Sequence, residues 1–256
     1  MYKLLPFKSR KEDVVLKTHQ LKMLKMDHAQ PLTLIHISDL HLGFHYSYDD
    51  LIYHINLING LQADIIVISG DLFDNIDYYP NAERLIPLLK TLNAKLGVFF
   101  SYGNHDQRIH QTARISRILA ASEIQLLVNT GVTVNYDGEP LFIGGLDDII
   151  NAGGNIHQTL KNRTHEMFTL MIVHEPDYAD FVSRFDIDLQ LSGHSHGGQI
   201  RIPLFGAPVK PALGRKYVKG LYNVGDMKLH VSPGLGTTHL PVRLFCPPEI
   251  TVLEIR

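Results

Sequence analysis

With 256 residues, 45% of them hydrophobic and 20% charged, the chain has the size and composition of a globular protein with one large core or two small ones. A net charge of -2 excludes a generally basic surface for nucleic acid, so no stable nucleic-acid complex is expected, and no apolar run approaches the ~20 residues of a membrane span. The single cysteine excludes an internal disulfide, whereas fifteen histidines are an unusual supply of metal-ligating and proton-transferring groups.

The first 26 residues carry seven Lys or Arg against two acids. Residues 1–30 therefore read as a basic, solvated extension, with peripheral contact to an anionic membrane as the alternative. The opening stretch MYKLLPFKSRKEDVV holds charge where a signal peptide needs an apolar segment. A cytoplasmic location is expected, which includes a peripheral position at the inner face of the cell membrane.

Beyond residue 30, short apolar runs each end in a polar cluster. LTLIHIS (32–38) leads into DLHLG, DIIVIS (64–69) into GDLFD, and LGVFFS (96–101) into YGNHD. MFTLMIV (167–173) leads into HEPD, and IDLQLS (187–192) into GHSHGGQ. Runs this short, rich in branched and aromatic residues with little alternation, predict buried strands. Leu51, Ile55 and Ile58 follow a helical stripe behind an acidic start at Asp49 and Asp50, and Ile115, Ile118 and Leu119 mark a second helix. VTVNYDGEPLFIGG (132–145) predicts a hairpin around Asp137-Gly138, and KLHVSPGLG and PEITVLEI predict further strand. No repeat or low-complexity linker interrupts residues 31–256, so one domain is expected, α/β or mixed α+β, with a strand-rich C-terminal half.

In open α/β sheets ligands collect at the carboxyl ends of the strands, where all five polar clusters fall. Asp39, His41, Asp71, Asn104, His174, His194 and His196 together supply carboxylate, amide and imidazole donors suited to Mn, Fe or Zn. If these segments are extended, the i, i+2 spacing makes Asp39 and His41, and likewise His194 and His196, face one cavity. Glycines 193, 197 and 198 allow a sharp turn and close approach of the backbone. His36 reads as a satisfied core histidine, and His45, His54, His110 and His165 as surface residues. Asp74 is divided between supporting a ligand and forming a turn.

At this point the sequence resembles a known family. SDLHLG, GDLFD, GNHD, VHEPD and GHSHGGQ look like the five motifs of the calcineurin-like metallophosphoesterases. GHSHGGQIRIPLFG and GLGTTHLPVRLFCPPEITVL further resemble the bacterial YkuE/YaeI-like phosphodiesterase branch. The resemblance implies a four-layer αββα sandwich, two mixed sheets face to face with helices outside, over residues 31–256. It also implies two divalent metal ions at the sheet edge: one held by Asp39, His41, Asp71 and His196, the other by Asp71, Asn104, His174 and His194. Asp71 would be shared. His105 would face the substrate, and Asp106 would orient its ring. Protein serine/threonine phosphatases of the superfamily carry Arg and Glu where this chain has Asn75 and Asp106, which argues against that branch.

The chemistry implied is attack on a phosphoester by a hydroxide bridging the two ions. Two divalent ions, two carboxylates and a hydroxide leave about one positive charge to draw in phosphate. A lipid-linked or envelope phosphoester is the expected substrate. The alternatives are a nuclease or nucleotide phosphodiesterase, or a non-catalytic binding scaffold. The resemblance brings the loop of His239 near the pocket, so that His239 either borders it or lies apart from it. Arg215, Lys216 and Lys219 either flank a phosphodiester or form a solvated loop.

Overall fold

The computed structural model describes residues 11–26, 30–108 and 112–256. Much of the basic leader, and His110, lie outside the described residues. The strands are β1 (Val15–Leu21), β2 (Leu32–Ile37), β3 (Ile65–Ile68), β4 (Gly97–Phe100), β5 (Ile124–Leu126), β6 (Thr130–Tyr136), β7 (Glu139–Gly145), β8 (Phe168–Ile172), β9 (Leu189–Ser192), β10 (Gly220–Val224), β11 (Met227–Val231) and β12 (Glu249–Ile255). They form two six-stranded sheets, ordered β1-β12-β2-β3-β4-β5 and β10-β11-β9-β8-β7-β6. Both are mixed. β2 through β5 run parallel with β12 antiparallel beside them, and β7, β8, β9 and β11 run parallel with β6 and β10 antiparallel at the edges.

The near-continuous apolar strands are explained by burial on both faces. Leu34, Ile65, Val67, Leu170, Ile172, Leu189 and Leu253 fill the space between the sheets. Ile35, Ile37, Ile66 and Ile68 face outward from the first sheet onto α1 (Tyr48–Asn59) and, further along the chain, the helix Thr112–Ala121. Met171, Val173, Leu229 and Val231 face outward from the second sheet onto short helices at Ile156–Thr159 and Ala179–Val182. Three apolar layers thus separate four layers of structure, in the order helix, sheet, sheet, helix. α1 begins with a capping box in which Ser47 and Asp50 satisfy each other's backbone N–H groups.

Two expectations change. Residues 15–21, read as part of a solvated extension, are an edge strand parallel to β12, with Val15 opposite Glu249 and Leu21 opposite Ile255. Lys17 and His19 suit an edge that must not pair with another chain. His54, read as a surface residue, is buried: it lies on the α1 face that carries Leu51, Ile55 and Ile58, where its ring meets the Tyr46 hydroxyl at 2.6 Å and the Lys11 carbonyl at 3.1 Å. No helix among the described residues is long and apolar enough to cross a membrane.

His36 is a satisfied core histidine. It sits between the sheets, 2.8 Å from His230 Nδ1 through one ring nitrogen and 2.8 Å from Ser69 Oγ through the other. Burial lowers its pKa to about 3. Its pKa in an unfolded chain is about 6.5, so the unfolded state binds a proton there that the folded state refuses. Stability at His36 is therefore intact above pH 6.5 and is lost as pH falls toward 3. Between about pH 6.5 and 5 this site alone costs about 2 kcal/mol, and His230, whose pKa burial also lowers, steepens the loss. Urea unfolding of wild type and His36→Gln across that interval checks it: the variant is expected to show a shallower slope, and an unchanged slope contradicts the assignment.

Candidate metal centre

Because β2, β3 and β4 are parallel, and β8 and β9 are parallel in the facing sheet, the segments that follow all five strands emerge at one end. Backbone hydrogen bonds continue beyond the first sheet: Asp39 N–H donates to Gly70 O and His41 N–H to Asp71 O. Gly193 N–H donates to His174 O in the same way. The clusters are thus fastened to one another before any side chain acts.

The expected donors converge. Asp71 Oδ2 lies 3.5 Å from His41 Nε2 and 3.2 Å from His174 Nε2. His196 Nε2 lies 3.1 Å from His41 Nε2 and 3.5 Å from Asp39 Oδ1. His194 Nδ1 lies 2.8 Å from Asn104 Oδ1. Donor atoms bound at 2.0–2.2 Å to one tetrahedral ion sit about 3.3–3.6 Å apart, so much of this spacing is what a shared cation sets.

Tautomers strengthen the fit. His174 Nδ1 donates to Ser69 O at 2.7 Å, and His41 Nδ1 faces Asp74 Oδ1 at 3.3 Å. Each hydrogen bond directs the other nitrogen, Nε2, toward the cluster. His174 Nε2 is buried without a hydrogen-bond partner, facing a carboxylate oxygen. Burial alone would push the His174 pKa down and that of Asp71 up, but their mutual attraction reverses both shifts. A divalent ion bound here would replace the proton that holds them together. Burial keeps His194 and His196 neutral, the state in which imidazole ligates. The donor set fits a divalent ion, and its groups overlap: Asp39 approaches both His41 with His196 and Asp71 with His174, while His194 lies near His174 and meets Asn104.

The local backbone corrects how this convergence was expected to arise. Asp39, His41, Asp71, His194 and His196 have φ of 51°, 50°, 54°, 65° and 51°, so none belongs to an extended chain. Left-handed backbone at five non-glycine residues costs about 1–3 kcal/mol each and is a mark of functional sites. Room for it comes from glycine: a Cβ on Gly193 would overlap Ser38 Oγ and Asp39 Oδ2, and one on Gly103 would overlap Asp71 Oδ1.

Asp106 does not orient His105. Adjacent residues of a helix point roughly 100° apart, and in the short helix Asn104–Arg108 the Asp106 carboxylate turns inward. There it accepts N–H bonds from Asp71, Leu72 and Gly103 at 2.8, 3.1 and 3.0 Å, which fixes the two loops. The orienting residue is Asp74: its Oδ1 is 3.2 Å and its carbonyl 3.1 Å from His105 Nδ1, and the same Oδ1 reaches His41. Arg108 Nη2 also lies 3.2 Å from that nitrogen, but two acceptors there keep the proton on Nδ1. Burial lowers the His105 pKa, and the Asp74 hydrogen bond with the Asp71 charge more than compensates, raising it.

Sequence reasoning missed Arg243, a fully buried guanidinium that donates to the carbonyls of Pro233, Gly234, Gly236 and Cys246 behind Asp39. Its neighbours Val242, Leu244 and Phe245 are apolar, and an arginine among apolar residues reads in sequence as the member that faces solvent. Arg108 and Lys210, also unexpected, line a cavity of about 460 Å³ over the site. His239 borders it. Arg215, Lys216 and Lys219 do not; Lys216 pairs with Asp180 and Lys219 with Glu249.

The profile of calcineurin-like phosphoesterases matches residues 32–198. Among similar proteins, the uncharacterized metallophosphoesterase YkuE of Bacillus subtilis is 36% identical over 240 residues, which span 93% of this chain and 84% of that one. The phosphodiesterase YaeI of Escherichia coli is 28% identical over 242 residues, spanning 93% and 86%. The crystal structure of TT1561 of Thermus thermophilus matches with a TM-score of 0.51 at 16% identity, covering 80% of this chain and 89% of that one, a likeness of fold alone.

Proposed function

Because this chain belongs to the calcineurin-like phosphoesterase family and is a metal-dependent phosphoester hydrolase, we propose that it works with two divalent ions and cleaves a lipid-linked phosphodiester. Asp39, His41, Asp71 and His196 hold one ion, and Asp71, Asn104, His174 and His194 the other. The observation that carries this is Asp71 Oδ2, which stands within 3.5 Å of donors from both groups. Bound divalent ions supply Lewis-acid stabilisation of phosphoryl charge and lower the pKa of water toward about 7.

The protein's own groups do the rest. Asp74 accepts a hydrogen bond from His105 Nδ1–H and, with the Asp71 charge, favours the imidazolium, so that Nε2 also carries a proton, which passes to the departing alkoxide. Arg108 and Lys210 line the cavity and attract the phosphoester anion. Support for an amphiphilic substrate comes from the remaining cavity wall, where Ile200, Pro208, Val209, Pro211 and Leu240 offer apolar surface beside the metal donors. No Phe, Tyr or Trp stands among the residues that line the cavity, so only imidazole rings and Arg108 face a nucleotide base there.

Protein reconstituted with excess Mn, analysed for metal and assayed on a phospholipid-like diester and an oligonucleotide, tests both parts. Two ions per chain and preference for the lipid diester are expected. A stoichiometry that stays at one removes the shared carboxylate, and faster cleavage of the oligonucleotide replaces the substrate class.

A further inference from the structure

The cavity is walled by two loops tied together by Gln199, whose side-chain amide donates to Thr238 O and Leu240 O, and by a bridge between Ile200 and Leu244. Their outer faces are apolar. Of the twelve exposed large apolar side chains among the described residues, six lie here: Ile202, Leu204, Phe205, Val209, Leu240 and Phe245. Leu204 is fully exposed and Phe205 is 85% exposed. Such a concentration is not the scatter of single apolar residues found on any surface.

The tip is preformed. Ile202 and Gly206 exchange backbone hydrogen bonds at 2.8 and 2.9 Å, Phe205 N–H donates to Ile202 O at 3.1 Å, and the turn they close holds Leu204 at φ 71°. A bulky apolar residue in left-handed backbone at a solvent-facing tip gains nothing for the fold from its side chain. The loops are rich in cations, of which Lys216 and Lys219 are paired with Asp180 and Glu249, while Asp177 accepts the backbone N–H of Arg215. Residues 189–225 contain no Asp or Glu but carry Arg201, Lys210, Arg215, Lys216 and Lys219. The first two donate to backbone carbonyls of Gly197 and Arg215, which leaves their charge unneutralised, and the Arg215 guanidinium has no carboxylate partner among the described residues.

We infer that this loop pair docks the enzyme on an anionic lipid bilayer, with Leu204 and Phe205 entering the headgroup and acyl boundary while Arg201, Lys210 and Arg215 meet lipid phosphates. Apolar side chains flanked by cations are the chemistry that such a surface recognises. The cavity shares Ile200, Val209 and Lys210 with the docking loop, so a headgroup phosphoester at the bilayer surface stands next to the metal donors. The inference rests on the lipid-phosphodiester reading for its purpose but not for the binding itself. This contact lies at the mouth of the site, whereas residues 1–10 of the lysine-rich leader lie outside the described residues.

Co-sedimentation of the Mn-loaded protein with phosphatidylcholine vesicles, with and without phosphatidylglycerol, tests it. Wild type is expected to sediment with the mixed vesicles, less so as salt rises, and poorly with phosphatidylcholine alone. Leu204→Ser/Phe205→Ser is expected to bind mixed vesicles about tenfold or more weakly while retaining wild-type kcat/KM on a soluble diester, which shows that it folds. Wild type that stays in the supernatant, or a double variant that sediments as well as wild type, overturns the proposal. So does a wild-type dimer that the double variant abolishes in the absence of any vesicle binding, since a second copy then covers the loops. Vesicle binding by a preparation with no diester hydrolysis supports the docking face and sinks only the catalytic reading above.

Discussion

Asp71→Ala is expected to lose metal and activity together, with kcat/KM falling by more than about 10³-fold because metal-derived charge stabilisation and water activation disappear at once. The argument rests on position. Asp71 Oδ2 is the carboxylate oxygen that approaches both His41 and His174, and Asp71 Oδ1 accepts the His105 backbone N–H at 2.8 Å. Removing it separates the two halves of the donor set and releases the loop that carries His105. The fold itself should survive, because without the Asp71 charge burial favours the neutral His174 ring and no unpaired charge is left inside. Melting temperature with and without Mn distinguishes these effects. Wild type should gain stability from a ligand that binds only the native state, about 2.7 kcal/mol at a hundred times Kd, and Asp71→Ala should gain almost none. A variant that melts normally, keeps its Mn-dependent shift and still hydrolyses diesters would show that another group joins the two halves.

What the sequence made legible follows from periodicity and chain direction. Apolar runs buried on both faces look alike whether or not their partners are known, so strands β2, β3, β4, β8 and β9 and their polar termini could be read directly. The convergence of those termini needed only parallel pairing. β1 was not legible because an edge strand alternates: Lys17 and His19 look like the charges of a tail, and its strand partner among the described residues is β12, more than two hundred residues away. His54 was misread because a histidine on a helix stripe is scored by its polarity, whereas the partners that bury it, Tyr46 and the Lys11 carbonyl, become visible only in three dimensions.

The site shows a subtler limit. Its donors were identified by type and order, yet the extended backbone assumed for them is absent, and five of them stand at positive φ. Local rules assign such angles to glycine, and here the glycines beside the donors provide space while the donors themselves take the strain. Asp106 and Asp74 exchange their expected roles for a related reason. Sequence adjacency to His105 suggested Asp106, but the side chain that reaches the ring comes from the neighbouring strand's loop, 31 residues earlier. Asp106 instead anchors the backbone on which Asp71 stands.

His105→Ala separates binding from chemistry and carries the second large effect. His105 lines the cavity, and its ring makes contact with Asp74 rather than closing the donor set around Asp39 and His196. The variant should therefore retain the metal content of wild type while kcat/KM on an alkyl diester falls by about 10²–10⁴-fold, the range of a positioned general acid. A departing alkoxide needs that proton far more than a nitrophenolate does, so the loss on a nitrophenyl ester should be much smaller. Asp74→Asn should follow the same pattern at about 10–100-fold, since it weakens the hold on His105 Nδ1 and on His41 without removing either ring. Equal losses on the two esters would make His105 an electrostatic group instead of a proton donor. Loss of metal in His105→Ala would place it among the ligands. Its ring comes near His41 and Asp71, but its 3.2 Å contact with Asp74 and its absence from the donor groups that contain Asp39, His174 or His194 argue against that role.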